Sequence, residues 1–360
     1  MALASEASST LGWQDGIAGI AGEWDELADR AGAGPFQRPG WFEAWLGAFE
    51  RRRELSVLTA RRDGRLVGVV PVFRRRGTVI SPTNWHTPYF DAVAVDEGAA
   101  VDLALELVDA APSRLDLSFL DPARPFVAAC LDAVRAAGRR VICRPVLRSP
   151  FVDLRGDFEA YEESLETKYR REMTRRRRRL EERGTLEVDF ADGRGDLAAQ
   201  LAEGFAVEGS GWKEDRGTAI TSRPETGVFY SDVARWAADR GWLQLGYLRL
   251  DGRAIAFCYL LAVGGVIHVV KVGFDPEYRK FAPGSLLTRA AIQRAFEQGM
   301  SGYDFLGDED RYKLDWTSDV RERARLQAFG STPVGVPGYI AWRYVRPAAK
   351  RAFSSLRRGG

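Results

Sequence analysis

The stretch from Val266 to Trp316 constrains the fold more than any other part of the chain. Val266–Phe274 is mostly apolar and rich in β-branched residues, which reads as a strand. Asp275-Pro276 turns the chain and a short basic loop follows. Pro283-Gly284 then opens a segment of helix formers that runs to Gly299. Tyr303–Leu306 reads as a second strand, and the acidic residues 308–310 lead into Tyr312, Lys313 and Trp316. Strand, glycine-containing loop, helix and strand in that order bring the first-turn N–H groups of the helix close to strand ends. Those donors lack intrahelical partners and the helix dipole is positive there, so the arrangement favours an anion.

The remaining segments alternate in the same way. Helices are expected around Ile20–Arg30 and Gly40–Glu50, the second with Trp41, Phe42, Trp45 and Phe49 at helical spacing. Leu55–Ala60 and Leu66–Phe73 read as strands joined by an Asp-Gly hairpin turn at 62–65. Strands at Val79–Ile80, Phe90–Val95, Arg114–Phe119 and Val141–Pro145 are interleaved with helices near Ala99–Ala110 and Pro125–Ala137. From Pro150 a second unit begins. A long helix is expected over Asp157–Arg183, because Tyr161, Leu165, Tyr169, Met173 and Leu180 share one apolar arc. A strand at Leu186–Phe190, helices at Gly195–Glu208 and Pro224–Arg240, and strands at Leu243–Leu250 and Ala254–Val263 follow. The turn at 251–253 is again Asp-Gly, a faint echo of 62–65 that hints at duplication. A last strand at Ala324–Phe329 and a helix over 337–357 complete the reading, and the class is α/β with mixed sheets.

The segments Lys271-Val-Gly-Phe-Asp275, Tyr278, Phe281-Ala-Pro-Gly284, Tyr303-Asp-Phe-Leu306 and Tyr312-Lys313 resemble the catalytic half of the GNAT-type N-acyltransferase superfamily. The similarity is to the duplicated-domain branch that includes polysaccharide- and cellulose-associated acetyltransferases and Fem-type peptidoglycan aminoacyl transferases. The resemblance implies two tandem GNAT-like domains, 11–149 and a catalytic 150–335, with a basic helix or tail at 336–360. It also implies acetyl-CoA as acyl donor, its pyrophosphate over the strand-to-helix loop, and an amine of a sugar, polysaccharide or cell-envelope precursor as acceptor. One departure is plain. The usual loop is richer in glycine, whereas Phe281-Ala282-Pro283 precede a single Gly284 here.

Donor contacts are expected from Arg279, Lys280, Pro283, Gly284 and Ser285, through side-chain charge and backbone N–H groups. Glu208 is the candidate general base for the amine, and Tyr278 or Tyr312 the acid for the leaving thiolate. Lys271 lies in an apolar strand and needs a partner or ligand, for which Asp304 is the candidate; it is counted with the donor contacts. Simple alternation puts His268 on the opposite face from Lys271. Trp212, Lys213, Tyr312, Lys313 and Trp316 are expected on the acceptor side. Asp308, Glu309 and Asp310 are a poor metal site, since consecutive carboxylates point apart.

The arginine run 175–179, extended by Lys168, Arg170 and Arg171, is the most conspicuous charge feature. Five successive arginines point all round a helix, so no single stripe forms. Arg176 and Arg179 fall in the apolar arc and are expected to meet an anionic ligand. Fem-like relatives carry a basic helix here, which keeps aminoacyl-tRNA open as donor. A module that only binds a glycan or protein is the remaining alternative. The formal net charge of +2 on 360 residues favours no polyanionic partner by itself. The basic residues from Arg343 to Arg358 can touch an anionic membrane surface. Three cysteines without CxxC spacing argue against a disulfide frame or zinc site, and no apolar run is long enough to span a bilayer. With no secretory signal at 1–10, the expected location is the cytoplasm.

Overall fold

A computed structural model describes residues 9–210, 220–331 and 335–340. The chain divides into two compact units. The first gathers the described residues up to Pro39, Arg52–Leu147 and those from Glu322 onward; the second gathers Gly40–Arg51 and Arg148–Arg321.

In the first unit, β1 (Thr10–Asp15), β2 (Ser56–Arg62), β3 (Arg65–Arg75), β4 (Thr78–Ile80), β6 (Arg114–Leu120) and β13 (Val320–Phe329) lie side by side in that order. The two-residue β5 (Val93–Ala94) pairs with β3. In the second unit the order is β8 (Leu186–Ala191), β9 (Leu243–Leu250), β10 (Arg253–Val263), β11 (Val266–Phe274), β12 (Gly302–Asp304) and β7 (Arg140–Asp153). Each sheet is antiparallel except for one parallel pair, β4 with β6 and β11 with β12. A parallel pair needs a crossover, and a helix supplies it in both cases, Glu97–Asp109 and Pro283–Glu297.

The duplication hinted at by the two Asp-Gly turns is therefore complete at the level of topology. In sequence order, and among the described residues, two α-helices lie between the first strand of each repeat and the next three, Ala21–Arg30 and Pro39–Phe49 in one, Leu197–Gly209 and Pro224–Asp239 in the other. The turns occupy equivalent places, with Asp63 and Gly64 at φ 52° and 76°, and Asp251 and Gly252 at φ 49° and 82°. Positive φ at both central residues is what a two-residue hairpin turn requires. The last strands are exchanged. β7 follows the first repeat in sequence but pairs through Phe151–Asp153 with β12, whereas β13 follows the second repeat and pairs with β6.

Boundaries at 11–149 and 150–335 differ from these units in two places. Residues 40–51 belong with the second unit, where Trp41 and Phe49 pack on Phe229 with ring centroids 5.1 and 5.2 Å apart. Residues from Glu322 belong with the first, through β13.

Most expected elements form within two residues of their expected ends, and the departures have local causes. The helix expected over 157–183 is two helices, Phe158–Ser164 and Thr167–Glu181. Leu165 and Glu166 adopt extended dihedrals between them. Tertiary bonds fix the first piece: the Tyr161 hydroxyl donates to the Trp316 carbonyl at 2.9 Å and Glu162 pairs with Arg289. Phe90–Val95 is a strand only at 93–94, Val141–Pro145 extends to Asp153, and Tyr303–Leu306 stops at Asp304 because Leu306 turns to φ 51°. The last described helix is Gly335–Ile340, and the rest of 337–357 lies outside the described residues. Among the described residues, no helix is long and apolar enough to cross a membrane.

One buried carboxylate makes the first unit sensitive to pH. Asp91 is 2% exposed, accepts from Tyr89 Oη at 2.8 Å and Arg124 Nε at 3.1 Å, and is pushed up to about 6 by desolvation. The folded chain then holds a proton that the unfolded chain has already released between about pH 4 and 6. Stability is expected to fall as pH rises through that window. Comparing urea unfolding of wild type and Asp91→Asn across it checks this: the variant should lose that part of the slope.

Candidate active site

The sheet of the second unit presents two different faces. On one, Ile267, Leu260 and Tyr303 pack with Leu287, Ile292 and Ala295 of the Pro283–Glu297 helix and with Met173 and Leu180 of the Thr167–Glu181 helix. On the other lie the Leu197–Gly209 and Pro224–Asp239 helices. Gly273 of β11 is the seat of the first of these, since a Cβ there would overlap the backbone of Glu208.

β11 and β12 are bridged only over Val266–His268 and Gly302–Asp304. β11 continues to Phe274 along β10, while β12 ends and the chain turns away at Leu306. Parallel strands that part in this way open a gap lined by backbone N–H and C=O groups. The register of β11 against β10 also slips within the gap: Leu260 faces Val269, but Tyr259 faces Lys271. The extra residue, Val270, forms a β-bulge and leaves its backbone groups out of the ladder.

That bulge corrects the face assignment. Paired residues point to the same side of a sheet, so Lys271 stands with Tyr259 and His268 with Leu261, both away from the Ile267 core. His268 and Lys271 thus share a face. Asp304 joins them there, because it pairs with His268 while its neighbour Tyr303 points into the opposite core.

The same face holds Glu208 and Tyr230. The Lys271 ammonium sits 5.0 Å from the Tyr230 ring centroid, a cation–π contact. Burial, and then the charge of Glu208, raise the Tyr230 phenol. Glu208 is 2% exposed and its Oε2 accepts the backbone N–H of Ile220 at 2.9 Å. The carboxylate named as general base therefore has an anchoring bond. Asp304 is 4% exposed, and its Oδ1 accepts from Ser149 Oγ at 3.0 Å and from the Leu306 N–H at 2.9 Å.

The donor-side candidates gather at the start of the Pro283–Glu297 helix. Ala282 takes a left-handed conformation at φ 50°, and Ser285 and Leu286 return their N–H groups to its carbonyl. Pro283 is buried at the first helical position, Gly284 and Ser285 are half-buried, and Arg279 and Lys280 are exposed on the preceding turn. Tyr169 reaches this point from the neighbouring helix. Its phenol is raised by burial, with Ser285 beside it opposing the shift, and its buried hydroxyl has no partner of good geometry among the described residues. An orphaned buried hydroxyl beside a helix N-terminus is a place for a polar ligand group. Sequence reasoning had Tyr169 only as a packing residue; nothing in its spacing separates the two roles.

Several residues expected to contact substrate are engaged within the fold. Lys313 is 5% exposed and donates to the carbonyls of Leu306 and Asp308 at 2.8 and 2.7 Å, besides pairing with Asp310 at 3.2 Å. Desolvation lowers its pKa, and Asp310, Asp308 and Asp304 oppose this. It holds the loop after β12 closed. Trp316 is 2% exposed, edge-on to Tyr169 at 5.3 Å, in the core. Tyr278 packs against that same core, on the face away from Lys271. Tyr312 is exposed, and Trp212 and Lys213 lie outside the described residues. The arginine run is largely matched on its own helix: Arg175 and Arg176 bond Glu172, Arg177 bonds Glu181 and Arg178 approaches Glu182. Arg179 is exposed instead of lining the apolar arc; Arg176 is half-buried.

The sequence profile of the acetyltransferase (GNAT) domain matches residues 167–314. Residues 167–314 are a GNAT domain. The matched span begins at the helix carrying Tyr169 and ends just beyond Lys313, so β11, β12 and the Pro283–Glu297 helix all fall inside the GNAT domain. Solved structures of the same fold include FemX, at 13% identity over 88% of this chain and 97% of that one, with a TM-score of 0.60. Another is the C-terminal domain of a putative lysylphosphatidylglycerol synthetase from Agrobacterium fabrum, at 15% identity, 90% and 96% coverage and a TM-score of 0.54. A conserved protein of unknown function from Bacteroides thetaiotaomicron is similar at 12% identity, 89% and 100% coverage and a TM-score of 0.55. At these identities the likeness is one of fold. No curated protein sequence is significantly similar.

Proposed function

We propose that the protein is an N-acyltransferase that moves an acetyl group from acetyl-CoA to a primary amine of a sugar or cell-envelope precursor. The observation that carries this reading is the parting of β11 and β12 after His268 and Asp304, together with a helix start at Pro283 that no side chain caps. In this reading the pyrophosphate sits over Gly284 and Ser285 with Arg279 and Lys280 outside it, and Tyr169 supplies a further donor. The pantetheine arm follows the gap to the bulge at Val270, where a backbone N–H polarises the thioester carbonyl. The acceptor approaches on the face that holds Glu208, Tyr230, His268, Lys271 and Asp304. The second reading, aminoacyl-tRNA as donor, draws on the likeness to FemX and on the basic helix, but that helix spends much of its charge on Glu172, Glu181 and Glu182.

Calorimetric titration with acetyl-CoA tests the donor site. Gly284→Pro removes one N–H in the first turn, where proline is tolerated, and should weaken binding about 10- to 100-fold, the loss of one charge-assisted hydrogen bond. Gly284→Ala keeps the N–H, and its Cβ would meet only Phe274 Cδ1 at an ordinary 3.4 Å, so binding should be retained. Equal affinity in all three proteins would exclude the placement.

A further inference from the structure

We infer that His268 is the group that takes the proton from the incoming amine, with Asp304 holding its imidazole; the assignment rests on the acyl-transfer reading above. The two residues form the last bridge of the parallel β11–β12 pair, at the point where the strands part. Neighbouring strands lie about 4.8 Å apart, so side chains on one face at a shared bridge are within hydrogen-bond reach. Asp304 is nearly inaccessible, and its Oδ1 is fixed by Ser149 and the Leu306 N–H, which sets the orientation of the carboxylate. His268 is half-buried, at the mouth of the gap.

The first unit provides an internal comparison. Its equivalent bridge joins Ile80 of β4 to Asp116 of β6. Asp116 is also buried, at 2% exposure, but its carboxylate is gripped by Arg325 at 2.7 and 2.8 Å, by Arg114, and by Gln327 at 3.1 Å. Isoleucine stands where the second unit has histidine. The start of the crossover helix differs too: in the first unit Asp96 caps it, accepting from the Ala99 N–H at 2.8 Å, and Glu97 follows. Two carboxylates there repel a phosphate. The same architecture thus carries a closed, charge-matched bridge in one repeat and a titratable one in the other.

The step balances as follows. The amine nitrogen attacks the thioester carbonyl carbon and a C–N bond forms. The tetrahedral oxyanion collapses, the C–S bond breaks and its electron pair leaves on sulfur. His268 receives the N–H proton and passes it to the thiolate or to water. The ionisable groups gathered on this face are Glu208 and Tyr230 from the two helices, Tyr259 from β10, Lys271 from β11 and Asp304 from β12, with Lys313 close to Asp304. Asp304, paired with His268 across the bridge, is the carboxylate placed to hold the imidazole.

The chain has two histidines, so imidazole NMR resolves His268 once His86→Gln assigns the other signal. Asp304→Asn should lower the His268 pKa by about one unit, a tenfold change in its protonation equilibrium. In thiol-release assays with acetyl-CoA and a panel of amino sugars and diamines, His268→Gln should cut kcat about 100-fold or more. It should also erase the acid limb of the kcat/KM profile and leave acetyl-CoA affinity unchanged. A His268 titration that ignores Asp304→Asn, or an acid limb that survives His268→Gln, overturns the assignment. Thiol release absent in wild type with every amine overturns the acyl-transfer reading itself, and the proton-accepting role with it.

Discussion

Asp116→Ala is expected to destabilise the first unit by about 3–5 kcal/mol, the cost of stripping one partner from a buried charge network. The carboxylate receives Arg325 through both oxygens, Arg114, and the fully buried amide of Gln327. Removing it takes a buried acceptor away from two guanidinium groups and an amide. Asp304→Asn, the change at the equivalent bridge of the second unit, should cost much less. An asparagine Oδ1 can still accept from Ser149 and from Leu306. Urea unfolding of the two variants separates them, and a similar loss in both would mean that the two bridges are equally structural.

The contrast explains what the sequence could disclose. Strands and helices were legible because their hydrophobic periods are, and the two Asp-Gly turns marked the same hairpin in each repeat. The exchange of last strands was not, since nothing in Arg140–Asp153 or Val320–Phe329 says which edge they join. The start of the Pro283–Glu297 helix followed from Pro283-Gly284. That Tyr169 lies beside it did not, because Tyr169 reads as one more member of an apolar arc. A bulge is a single residue inserted into a ladder, and it changes no local propensity. Val270 was therefore invisible, yet it alone decides that His268 and Lys271 share a face. Lys313 and Trp316 were expected on the acceptor side, and their burial was not legible. Their burial depends on Leu306 turning left-handed after Asp304, a backbone choice that a leucine does not advertise.

Gly273→Val is expected to be among the most damaging single changes in the second unit. Gly273 pairs with Phe257 on β10, and the Leu197–Gly209 helix lies directly over both residues. The fit uses two glycines in opposite senses. Gly204 on the helix makes room for the Phe257 ring, and Gly273 on the strand makes room for the helix at Glu208. A Cβ on Gly273 would overlap Glu208 Cα and lie 3.0 Å from its Cβ, and the obstructing atoms are backbone or next to it, not the flexible end of a side chain. The helix must then lift off the sheet. Overpacking of this kind costs about 1–3 kcal/mol, occasionally more, and a β-branched residue against backbone belongs at the upper end. The better β-propensity of valine returns at most about 1 kcal/mol. Lifting the helix also moves Glu208 and its bond from the Ile220 N–H, so on the proposed reading amine transfer should fall more than acetyl-CoA binding. Unfolding midpoints and calorimetry on the same preparation check both parts. A variant as stable as wild type would show that the helix does not bear on β11 at this point.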